Sequence, residues 1–126
     1  MKGLVPILSK QEWKPDFVNA VLQKADELVL LSVIDSSGLV GKFGFAATEI
    51  MQANKIMEGI EAELQKMKVK VECIVEWGST LQKIDHTARL KKCDFVFLQR
   101  QEGKAFEELL HELKKAIDKR ASVEVI

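Results

Sequence analysis

No stretch of this chain is apolar for long enough to cross a membrane as a helix. The longest run covers residues 28–34, with Ser32 inside it, far short of the roughly 20 residues such a helix needs. The opening residues, Met1 to Ser9, carry one lysine and a few apolar positions. They form neither a secretory core nor a small-residue cleavage site, so a cytoplasmic protein is expected. Cysteine is scarce: Cys73 and Cys93 are too few and too far apart for a disulfide framework or a metal site, and both read as small buried hydrophobes. An excess charge of one sign is also missing, with 19 basic against 19 acidic residues. A sequence-independent nucleic-acid binder needs a basic face, and an anionic membrane needs a polybasic stretch; neither is present. Low-complexity tracts, internal repeats and linkers are absent too.

What remains is an ordinary globular composition, 47% hydrophobic and 30% charged over 126 residues. That length suits one domain, residues 1–126, with a real core. Strand-like and helix-like segments alternate. Residues 4–8 form a short apolar strand despite Pro6, which lacks an N–H. Pro15 opens a helix whose apolar positions are Phe17, Val18, Val21, Leu22 and Ala25. Glu27–Ile34 is nearly unbroken Val and Leu, and Asp35-Ser36-Ser37-Gly38 ends it with turn chemistry. Phe43 and Phe45 are expected to fold onto the core. A long helix follows over residues 46–66, with Ile50, Ala53, Met57, Ile60, Leu64 and Met67 on one stripe and Gly59 a mild cost within it. Met51, Met57 and Met67 read as core.

Residues 69–77 differ, because Val69, Val71, Cys73, Val75 and Trp77 alternate with Lys70, Glu72, Ile74 and Glu76. This predicts one covered and one wetter face, as on an edge strand. Gly78 breaks the strand, with Ser79 or Thr80 as cap for a helix that turns Leu81, Ile84, Ala88 and Leu90 inward. Phe95–Leu98 is wholly apolar and so buried on both faces. The last helix points Phe106, Leu109, Leu110, Leu113 and Ile117 to one side. Residues 122–126 alternate again. Continuous apolar strands belong in the middle of a sheet and alternating ones at its edges. With right-handed crossovers, the order is 3-2-1-4-5 and the winding reverses between strands one and four.

Taken in that order, Leu4-Val5-Pro6-Ile7, the second strand from Asp26 to Asp35, the Gly78 break and Cys93-Asp94-Phe95-Val96-Phe97-Leu98 resemble a universal stress protein domain. The resemblance implies a three-layer α/β sandwich of the adenine nucleotide alpha hydrolase-like type, with helices on both faces of a five-stranded parallel sheet. It also implies a stress-response or regulatory protein that dimerises. Two departures bear on nucleotide binding. Nucleotide-binding members carry an Asp at the end of strand one, where this chain has Leu8. They also carry a loop of the form Gly-x2-Gly-x9-Gly-Ser/Thr after strand four. Here the stretch is Gln99-Arg100-Gln101-Glu102-Gly103-Lys104, with one glycine and no room for the rest. A phosphate loop needs several glycines so that backbone N–H groups converge on the anion. Glu107 and Glu108 already occupy the positive end of the next helix. ATP binding in the family's usual way is therefore not expected, and no cofactor is.

Open sheets bind ligands at strand carboxyl ends where winding reverses. That crevice would be lined by Ser9, Lys10 and Gln11, by Asp35 and Ser36, and by Gln99 and Arg100, where Lys10 and Arg100 could meet a small anion. The alternative is a solvated loop cluster with no ligand. His86 and His111 lack a nucleophile or metal partner at a useful spacing and read as surface residues, so no catalytic set is present. Trp13 and Trp77 could each anchor an interface or close an end of the core. The final strand leaves an unpaired edge. With the family's habit of pairing that strand about a two-fold axis, this predicts a homodimer through Val123, Glu124, Val125 and Ile126. Two other readings stay open: a nucleotide-binding switch with a noncanonical loop, and a small-molecule sensor working beside a transporter.

Overall fold

The computed structural model describes residues 1–8, 14–35 and 43–126. Strands β1 (Lys2–Pro6), β2 (Glu27–Ile34), β3 (Lys70–Trp77), β4 (Phe95–Leu98) and β5 (Ser122–Val125) form one sheet in the order β3-β2-β1-β4-β5. Every pairing is parallel. The three apolar strands are central and the two alternating ones are edges, as their patterns dictate.

The first strand runs two residues earlier than its apolar pattern suggests, over Lys2–Pro6 rather than residues 4–8. Along a parallel strand successive residues turn their backbone groups to opposite neighbours. The Lys2 N–H donates to Asp94 Oδ2 at 2.9 Å on the β4 side, and the Ile7 N–H to the Leu31 carbonyl at 2.7 Å on the β2 side. Pro6 therefore faces β4, beyond the last pair of that ladder, Leu4↔Val96. Its missing N–H costs no ladder bond, so a central strand tolerates it.

Among the described residues four helices cover the sheet: α1 (Pro15–Lys24), α2 (Ile50–Lys66), α3 (Thr80–Leu90) and α4 (Lys104–Ile117). Pro15 takes the first position of α1, where no N–H partner is needed. A single 3-10 turn, Ala47–Glu49, leads into α2, and the Glu49 carboxylate accepts the Ala46 N–H at 2.9 Å. Helices α1 and α2 bury Phe17, Val21, Ala53, Met57 and Leu64 against Val5, Leu28, Leu30 and Phe97. On the opposite face α3 and α4 bury Ile84, Phe106, Leu113 and Ile117 against Leu4, Val29, Leu31 and Val96.

Several side chains depart from the pattern reading. Met57 is core, but Met51 is 80% exposed because it lies on the side of α2 away from Ala53, Met57 and Leu64, and Met67 is exposed just past the last turn of the helix. Leu90 is 62% exposed at the last turn of α3. Cys93 is buried, whereas Cys73 is exposed. On β3 the odd-numbered, apolar face is the barer one along its second half, with Val75 37% and Trp77 50% exposed. Trp77 therefore does not close the core. The even-numbered face packs Ile74 on the α3–α4 side. There Glu72 and Glu76 meet Lys91 and Lys83, at 2.7 and 3.9 Å. Period-two alternation identified an edge but not which face its neighbours cover. Trp13 lies outside the described residues.

Candidate functional site

The sheet reverses its winding between β1 and β4. The cleft at the carboxyl ends there is about 640 Å³, lined by Lys14, Asp16, Phe17, Gln99, Arg100, Gln101, Glu102 and Ile126. Buried β4 delivers Gln99 and Arg100 to its floor. The Gln99 Oε1 atom accepts the Lys14 N–H at 3.1 Å, which ties the start of α1 to the end of β4. The β4–β5 ladder continues past both strands: the Ile126 N–H donates to the Leu98 carbonyl at 3.0 Å, and the Arg100 N–H to the Ile126 carbonyl at 2.9 Å.

Arg100 is already engaged. Its Nη1 lies 3.2 Å from Glu107 Oε1, and its guanidinium carbon sits 5.8 Å from the centre of the Phe106 ring. Glu107 belongs to the first turn of α4, so one carboxylate answers both the helix dipole and the arginine. Gly103 starts that helix at φ 102°, and residues 99–103 are the whole connection between β4 and α4. At this end the backbone donors of Arg100 and Glu107 are taken by the Ile126 and Gly103 carbonyls.

Of the residues expected in the crevice, Gln99 and Arg100 line it. Ser9, Lys10, Gln11 and Ser36 lie outside the described residues. Asp35 follows β2, with its N–H donated to the Phe45 carbonyl at 2.9 Å, and it does not line this cleft. Leu8 is buried in the core at 4% exposure, and its carbonyl accepts the Gly44 N–H. Neither Ser79 nor Thr80 caps α3 with its side chain: Ser79 makes no cap bond, and Thr80 Oγ1 instead donates to the Phe43 carbonyl at 3.1 Å. Lys14, Asp16 and Phe17 were missed. The available signal was Pro15, which puts Lys14 at the α1 N-cap, but the Gln99 contact joins residues far apart in the chain.

A second hollow, about 690 Å³, runs between α1 and α2 past Val18, Ile56, Gly59, Ile60 and Met67. A Cβ at Gly59 would meet nothing within 4 Å, so the glycine widens this groove without being required by it. Neither thiol is primed for attack. Burial pushes the Cys73 thiol up to about 12, helped by its hydrogen bond to Glu61, and burial pushes Cys93 up to about 11. His86 and His111 are exposed. Among the described residues no His, Cys, Asp and Glu cluster could hold a metal ion, and no helix is long and apolar enough to cross a membrane. On β5, Val123 and Val125 lean on the α3–α4 face, and Glu124 pairs with Lys24 at 3.1 Å.

No family model and no curated protein matches the chain. Solved structures do. The hypothetical protein MJ0577, a test case for structure-based assignment of biochemical function, superposes with a TM-score of 0.71 at 22% identity, over 99% of this chain and 94% of that one. A universal stress protein family protein from Arabidopsis thaliana, solved with AMP bound, gives a TM-score of 0.66 at 15% identity over 100% and 90%. One from Burkholderia pseudomallei gives 0.63 at 15% identity over 99% and 94%. At these identities the likeness is one of architecture: the chain has the fold of the universal stress proteins.

Proposed function

We propose that this chain is a regulatory interaction protein of the universal stress protein type, working in a stress response as a homodimer and without ATP held in the family's usual way. The observation that carries this reading is the Arg100–Glu107 pair. The basic group nearest the β4 end is neutralised by its own helix, and the short connection around Gly103 offers no ring of converging N–H groups. Leu8, packed in the core, supports the same reading at the end of β1. The homodimer would form through Val123, Glu124, Val125 and Ile126, since among the described residues β5 pairs with β4 on one flank only.

The cleft over Gln99 and Arg100 supports a second reading, a sensor for a small polar molecule. Its mixed lining of Lys14, Asp16, Arg100 and Glu102 suits a ligand carrying both charges better than a bare phosphate. The protein from Arabidopsis thaliana was solved with AMP, so AMP and ATP are the ligands to test first. A thermal melt with excess nucleotide and Mg²⁺ separates the readings. A ligand at a hundredfold over Kd stabilises by about 2.7 kcal/mol. No shift in Tm is expected; a clear rise with ATP would overturn the proposal.

A further inference from the structure

The two edges of the sheet differ in length: β5 has 4 residues and β3 has 8. Strand β3 is paired on one flank only among the described residues, with β2. The Gly78 N–H donates to the Ile34 carbonyl at 2.9 Å, so the even-numbered residues of β3 face β2. By the alternation along a strand, Val71, Cys73, Val75 and Trp77 turn their backbone groups to the open side.

These same odd-numbered residues carry the apolar stripe. Cys73 is exposed, as are Val75 and Trp77. Natural edges are usually blunted by proline, a bulge or inward-pointing charge. This one runs in unbroken register with β2 from Lys70 to Trp77. Its charges sit on the other face, drawn back to partners in the same chain: Lys70 to Glu27, Glu72 to Lys91 and Glu76 to Lys83.

We propose that the β3 edge pairs antiparallel with the β3 edge of a second copy, about a two-fold axis through Cys73. Charge selects the register. Centring on Glu72 sets that carboxylate opposite its own copy, and centring on Ile74 sets Glu72 opposite Glu76, both unfavourable. Centring on Cys73 sets Lys70 opposite Glu76 twice and Val71 opposite Val75 twice. It also leaves the outward-facing residues 71, 73 and 75 opposite one another, where each pair can exchange both N–H···O bonds. Trp77 would then cross Val69 of the other copy. This contact does not depend on β5, which lies at the far edge of the sheet. If both edges pair, two different two-fold contacts make an open chain of copies.

One feature opposes the contact and gives a second test. The Glu61 carboxylate lies 3.4 Å from Cys73 Sγ, so the axis brings two Glu61 side chains to the same side. Glu61→Gln should tighten association.

Sedimentation equilibrium of the full chain and three variants reads the proposal, with a thermal melt confirming that each is folded. Lys70→Glu should weaken association at least about tenfold by setting like charges opposite. The double variant Lys70→Glu with Glu76→Lys should restore it, and Glu61→Gln should strengthen it. A chain that stays monomeric, or one whose association is the same in all variants, would overturn the β3 contact. The second outcome would point to the β5 edge as the sole contact.

Discussion

Gly44 lies beneath Thr80 so closely that a Cβ on it would fall 2.7 Å from Thr80 Oγ1 and 3.1 Å from the Val33 carbonyl. Its φ of 97° is itself a conformation that L residues rarely adopt. Gly44 joins the carboxyl ends of β1 and β2, because its N–H reaches Leu8 while Phe45 bridges β2 at Ile34. Gly44→Ala should lower stability by about 1–3 kcal/mol, read as a reduced urea midpoint with an unchanged slope.

Ser32 presents the opposite case. It is fully buried in β2, and among the described residues its Oγ has no hydrogen-bond partner. An unmet buried hydroxyl costs about 1–3 kcal/mol. Ser32→Ala should therefore leave stability unchanged or raise it by about 1 kcal/mol, and a thermal melt reads the sign.

The thiols give a pH dependence. Folding raises both above their ordinary value, Cys73 to about 12 and Cys93 to about 11. The folded state thus binds these protons more tightly than the unfolded one. Their contribution is complete below about pH 8.5, the unperturbed thiol range, and is lost as pH rises through 11 and 12. Cys93→Ala should flatten the fall in stability between mildly and strongly alkaline pH, measured by urea unfolding. In iodoacetamide at neutral pH, Cys73 should react first yet more slowly than it does in urea, and Cys93 only on unfolding.

Much of the architecture was legible because burial on two faces writes itself as unbroken apolar sequence. Strands Glu27–Ile34 and Phe95–Leu98 have the bounds their composition predicts, and the strand order follows from which segments alternate. Helix ends and edges were less legible. Met67 fits an apolar stripe that outruns the surface covering it, whereas Met51 and Leu90 are apolar residues off the buried stripes of α2 and α3. Cys73 and Trp77 lie on the face that α2 covers only in part, which no period-two pattern reveals. The cleft was legible in place, through Gln99 and Arg100, but not in electrostatics. The pairing of Arg100 with Glu107 depends on how the short turn at Gly103 aims α4.

That ion pair is exposed at both partners, so it should matter for binding rather than folding. Arg100→Ala should change stability by less than about 1 kcal/mol, measured by urea unfolding. A larger loss would mean that Arg100 supports the fold through Phe106.

The proposed function requires that the β4–α4 connection hold no triphosphate. An ATP–Mg²⁺ titration followed at the backbone amides reads it at the atoms concerned. The amides from Gln99 to Lys104 should keep their positions at nucleotide concentrations far above those at which a specific site saturates. Saturable shifts confined to that stretch would contradict the account.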